Sequence, residues 1–146
     1  MSNPRNLFSD NEKNILIQAI KEAENRSSAE IRIHIENHCR GAVLDRATEV
    51  FQQLEMDKTV LRNGVLIYLA IKDRQVAIIG DQGINAFVEK DFWQQCYNVM
   101  VDHFTQNDFV GGIKAAIESF RDDLGKLFPH QPDDVNELND DISWGN

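Results

Sequence analysis

Apolar residues between positions 10 and 25 recur every three or four places, with Ile15, Leu16, Ala19, Ile20 and Ala23 on one helical face. Ser9 followed by Glu12 forms a capping-box pattern, with Phe8 just ahead of it, so an amphipathic helix is predicted over 10–25. It ends in Asn25-Arg26-Ser27-Ser28. The period then falls to two: in Glu30-Ile31-Arg32-Ile33-His34-Ile35-Glu36 the isoleucines alternate with polar residues. This predicts a half-exposed strand at a sheet edge, with His34 as a surface histidine. His38 and Cys39 lie nearby, but no disciplined fourth ligand completes a zinc set.

A second helix is predicted over 43–54, with Val43, Ala47, Val50, Phe51 and Leu54 as its apolar stripe, followed by a connector over 55–62. Residues 65–71 and 75–79 read as two strands whose short link, Lys72-Asp73-Arg74, permits only an antiparallel return. Their nearly unbroken apolar character implies burial on both faces, and so helices on both sides of the sheet. A short helix over 83–90 comes next. A longer one over 91–104 turns Phe92, Cys96, Val99 and Met100 inward, and another over 109–128 carries Ile113, Ala116, Ile117, Phe120, Leu124 and Leu127 as its stripe. The class is α/β; a hairpin with one face open to water would instead mean a two-layer α+β domain.

This order has a geometric consequence. The connection from the 30–36 strand to the 65–71 strand carries a helix and is long enough for a parallel crossover. The hairpin then brings the third strand back to the edge where the first two begin. Glu30, Arg62, Asn63, Gly64, Gly80, Asp81 and Gly83 therefore converge at one end of the sheet. Two carboxylates, an amide, an arginine and backbone carbonyls next to glycines suit a hard cation. Asp91, opening the next helix, either caps it or turns toward the same cleft. The competing structural reading pairs Arg62 with Glu30, lets Asp81 cap a turn and assigns the glycines to tight strand exits.

The 146 residues fit one domain with a real core. A formal net charge of −9 argues against nucleic-acid backbones and anionic membranes as partners. Cys39 and Cys96 lack a CxxC partner and read as reduced thiols. Residues 1–20 have no signal-peptide apolar run, and the longest apolar stretch, 65–71, is far too short to span a bilayer. A soluble, cytoplasmic, monomeric protein is the expectation. After Pro129 come five acids (Asp133, Asp134, Glu137, Asp140, Asp141) and no Lys or Arg. Without the central Gly and closing Glu this is no EF-hand, so 129–146 is expected to be a polar tail that adds little to a metal site. Leu138, Ile142 and Trp144 are its only candidate anchors to the body.

The segments "SSAEIRIHIE", "RNGVLIYLAIKDRQVAIIGDQGI" and "DFWQQC", in that order, resemble the TPM domain in its stand-alone bacterial branch, over residues 8–128. That family includes a thylakoid lumen phosphatase, a photosystem II repair protein and a worm modulator of acetylcholine receptors. The resemblance implies a three-layer α/β/α sandwich around a small mixed β-sheet. It also implies a divalent cation, calcium ahead of magnesium, on Glu30 of "SAEI", Asn63, Gly80, Asp81 of "IGDQG" and Asp91. Plant members are linked to acid phosphatase activity, which would cast Arg62, Asp81 and Asp91 as catalytic residues acting on a phosphomonoester of a small molecule or a protein. No G-x-S-x-G elbow, DxDx motif or cysteine in an arginine-rich loop is present, so any hydrolysis would use metal-activated water. A third reading is a metal-free protein-interaction adaptor using Phe87, Trp93 and Tyr97. Unlike longer members, the chain shows no transmembrane helix or Gly-rich tail.

Overall fold

The computed structural model describes residues 3–130 and 142–145. After a 3-10 turn at Pro4–Leu7, helix α1 (Asp10–Arg26) starts on the expected capping box: Ser9 Oγ accepts from the Glu12 amide, and Glu12 Oε1 from the Ser9 amide. The order continues β1 (Glu30–Glu36), α2 (Val43–Gln53), a 3-10 turn (Met56–Lys58), β2 (Gly64–Ala70), β3 (Gln75–Gly80), α3 (Gln82–Asn85), α4 (Phe92–Phe104), α5 (Phe109–Leu127) and β4 (Ser143–Trp144). The sheet runs β3-β2-β1-β4. Strands β1 and β2 are parallel, β2 and β3 antiparallel, and β4 joins β1 in parallel. This is the expected crossover and hairpin.

Side-chain alternation divides the interior into two cores. On one face Ile31, Ile33, Ile35, Val65, Ile67, Leu69, Val76 and Ile78 pack with α1, α4 and α5. On the other, Leu66, Tyr68, Ala70 and Ala77 meet Ala47, Val50 and Phe51 of α2, together with Met56. The result is an α/β/α sandwich around a four-stranded mixed sheet. Every residue of β2 is buried, as both-face coverage requires.

Several expectations need correction. Strand β1 is not half-exposed: six of its seven residues are buried, and β4 lies along its outer edge. Its alternating polar residues lie on the α2 face, where other protein groups rather than water meet them. His34 is accordingly 7% exposed, not a surface histidine. The helix expected over 83–90 is only Gln82–Asn85, and Val99 of α4 points outward, 37% exposed. After Pro129, two of the three candidate anchors, Ile142 and Trp144, do reach the body. Ile142 is buried and β4 extends the sheet, while Leu138 and the five acids lie outside the described residues.

Candidate functional site

Register places the candidate residues at the sheet end where β1 and β2 begin. Glu30 pairs with Gly64, and the Asp81 amide donates to the Gly64 carbonyl at 2.9 Å. Neighbouring strand residues project to the same side, so Glu30 and Asp81 share the α2 face on either side of Gly64. The space above Gly64 is filled: a Cβ there would lie 3.2 Å from the Met56 carbonyl oxygen and 3.4 Å from the Phe51 ring. Glu30 and Asp81 therefore flank an occupied position rather than facing across an open one.

Asp81 is the centre of the site. It is 8% exposed, and Arg62 grips it in a fork, Nε to Oδ2 at 2.7 Å and Nη2 to Oδ1 at 2.9 Å. Its Oδ1 also accepts from the Gln82 amide at 2.8 Å, capping α3. The structural reading holds where it has Asp81 cap a turn, but it needs correction at Arg62, whose partner is Asp81 rather than Glu30. Hydrogen bonding to Asp81, joined by the charges of Asp81 and Asp57, holds the Arg62 pKa above its ordinary value. Arg62 also has φ +51, a left-handed conformation that a side chain adopts at a cost. Hydrogen bonds on either side secure it, from its amide to the Thr59 carbonyl and from the Gly83 amide to its own carbonyl.

Arg62 and Asp81 line a cleft of about 370 Å³ together with Thr48, Gln52, Asp57, Asn85 and Trp93. Asp57 was missed by the sequence reading, which left it in a connector. The left-handed Glu55 (φ +59) starts a 3-10 turn that carries Asp57 back to the sheet end, and its Oδ1 is buried with no hydrogen-bond donor. Gly80 lies under the Trp93 indole, where a Cβ would come within 2.3 Å of the ring. The Gly80 carbonyl accepts from Asn85 Nδ2 and Trp93 Nε1 donates to Asn85 Oδ1, both at 2.8 Å.

The remaining candidates have other duties. Asn63, 2% exposed, donates its amide to the Ser28 carbonyl at 3.2 Å and fastens the start of β2 to the start of β1. Asp91 sits at the head of α4 without capping it; its Oδ2 accepts from Gln95 Nε2 at 2.9 Å. Among the described residues, no three His, Cys, Asp or Glu side chains are grouped closely enough to hold a metal ion.

A second polar cluster occupies the opposite end of β1. Glu36 is fully buried and takes two hydrogen bonds from Arg46, Nε to Oε2 at 2.9 Å and Nη2 to Oε1 at 2.8 Å. It takes a third from the Tyr68 hydroxyl and a fourth from His34 Nε2 at 3.1 Å. Burial alone would push the Glu36 carboxyl up, but the Arg46, Tyr68 and His34 bonds overcome it and hold the pKa down at about 2. Burial lowers the His34 pKa despite Glu36 beside it, and raises that of Tyr68. The only signal in the sequence was the shared face of His34, Glu36 and the facing Tyr68.

Comparisons with known proteins agree with this architecture. BA42, from the psychrophilic bacterium Bizionia argentinensis, is 42% identical, with a TM-score of 0.88 over 94% of this chain and 95% of that one. An N-terminal domain from P. gingivalis (18% identity, TM-score 0.68, 86% and 82% covered) and one from Corynebacterium glutamicum (18%, 0.61, 92% and 79%) share the fold. A sequence search of curated proteins finds no match. The family model for the TPM domain matches residues 1–123, and the chain belongs to that family.

Proposed function

We propose that this TPM domain is a binding module for a hard divalent cation, calcium ahead of magnesium, held at the mouth of the Arg62–Asp81 cleft. The observation that carries the reading is that two acids with buried oxygens, Asp57 and Asp81, share one cleft with a single guanidinium. Arg62 acts as a built-in countercharge, and its side chain is 39% exposed. A cation taking its place would be held by Asp81 and Asp57, with water completing the shell. Calcium tolerates such an irregular, water-rich set better than magnesium does, and the absence of His and Cys from the cleft disfavours zinc.

The donor set in place is narrower than the one the resemblance implies. Glu30 lies beyond the filled space over Gly64, Asn63 is held against Ser28 through its Nδ2, the Gly80 carbonyl accepts from Asn85, and Asp91 is bonded to Gln95. This favours a hydrated, exchangeable ion over a closed cage. Phosphomonoester hydrolysis would need Arg62 released from Asp81 to hold the phosphoryl group while an acid of the cleft activates water. Binding asks only for the first of these changes, so it is the reading adopted.

Calcium titration followed by backbone NMR tests it. Shifts are expected at 57, 62–64 and 80–82, lost in Asp81→Asn. Arg62→Gln, which removes the competing cation, should bind more tightly. An unchanged spectrum at roughly millimolar calcium, the weak end of known calcium sites, or shifts confined to 133–141, would overturn the site.

A further inference from the structure

The four residues Ile142, Ser143, Trp144 and Gly145 are seated against the body by each of their positions in turn. Ile142 is buried in the α1/α4/α5 core. Ser143 Oγ lies 2.7 Å from His34 Nδ1, and pairing runs His34 with Ser143 and Ile35 with Trp144. Trp144 packs on the Phe8 ring at 5.9 Å between centroids, with Arg5 and Lys13 each within 6 Å of its face. The Gly145 amide donates to the Ile35 carbonyl at 2.8 Å, and a Cβ at Gly145 would come within 2.4 Å of Glu36 Oε1.

This is the pattern of a peptide added to a sheet edge: main-chain bonds supply the attachment, and alternate side chains enter separate pockets. The two ends of the groove differ chemically. Its Trp pocket is an aromatic wall with two cations over the indole, and its Gly seat is the buried Glu36 carboxylate, where no larger residue fits without displacement. The stretch leading to it, residues 130–141, is polar, with five acids and no Lys or Arg. Such a composition offers little apolar surface to bury, and the stretch links Ile142 covalently to the body.

We infer that the outer edge of β1, where β4 pairs, is a strand-docking site for an extended peptide of the form apolar-Ser-Trp-Gly, and that residues 142–145 are its tethered, exchangeable occupant. The trans ligand is the same segment supplied by a separate molecule. Tethering sets an effective concentration of about millimolar, so a free peptide competes only when the tethered copy is weakened.

The test uses full-length chains and a synthetic peptide of residues 138–146. Trp144→Ala and Gly145→Ala each weaken the tethered copy while leaving Phe8, Lys13, His34 and Glu36 intact. In the wild-type chain, peptide at about 100 μM, an order of magnitude below the tether's effective concentration, should leave the backbone NMR spectrum unchanged. In both variants it should shift the amides of residues 8, 13 and 34–36, and a peptide carrying Trp144→Ala should not. Two results would overturn the inference: variants that stay folded but ignore the peptide up to roughly millimolar, or variants that unfold altogether. The second would make 142–145 a fixed part of the core rather than a ligand of it.

Discussion

Replacing Glu36 by alanine is expected to destabilise the protein by about 3–5 kcal/mol, the cost of removing one partner from a buried charge pair. The substitution strips Arg46 of both its carboxylate bonds and leaves the Tyr68 hydroxyl and His34 Nε2 without their acceptor. Glu36→Gln keeps shape and some hydrogen bonding and should lose less. Urea denaturation gives the difference directly as a shift in midpoint at constant slope. The same residue sets the acid response. Its folded pKa of about 2 lies below the ordinary 4.5, so the stability it contributes is complete above pH 4.5 and disappears as pH falls toward 2. The size of that contribution is on the order of 3 kcal/mol. His34 acts in the same direction at higher pH: its folded pKa is depressed below 6.5, so protons bind the unfolded chain first and stability declines as pH drops past that value. The wild-type stability curve should therefore fall in two stages, with Glu36→Gln removing the lower one. A curve for Glu36→Gln parallel to wild type below pH 4.5 would refute the assignment.

The second large effect is expected at Phe120. Its side chain is fully buried in α5, and truncation to alanine should cost about 3–5 kcal/mol through lost burial and the cavity left behind. The consequence reaches beyond stability because Phe120 meets the Trp93 ring edge-on at 5.8 Å. Trp93 in turn covers Gly80 and donates to Asn85, both of which line the cleft. Phe120→Ala is thus expected to move the Trp93 indole N–H resonance and the amides of residues 80–85. A destabilised variant with both sets of signals unmoved would show that the core does not position the cleft.

Much of the fold was legible in the sequence because it rests on local periodicity. The capping box at Ser9 and Glu12, the stripe of α5 and the hairpin of β2 and β3 all follow from spacing. The parallel pairing of β1 with β2, and so the convergence of Glu30, Gly64 and Asp81, followed from the length of the crossover. What escaped the reading lies in contacts between distant residues. Alternation in β1 cannot distinguish a polar face that meets water from one that meets Arg46 and Tyr68, so a buried network looked like an exposed edge. Asp57 reached the cleft through a left-handed residue, Glu55, for which no glycine gave warning. Arg62 had two acids within topological reach, and the choice between them depended on where the filled space over Gly64 lay.

The chain order of the sheet also bears on how the protein assembles. The β2–β3 hairpin closes across the turn at 71–74, β1 must wait for the α2 crossover, and the His34–Ser143 contact joins residues 109 positions apart. Loop-closure entropy rises with separation, so the hairpin is the natural nucleus and β4 the last strand to arrive. Opening reverses the order at equilibrium. The Gly145 amide should exchange with deuterium through a local excursion, while the amides of β2, paired on both sides and buried on both faces, should exchange only when the whole domain unfolds.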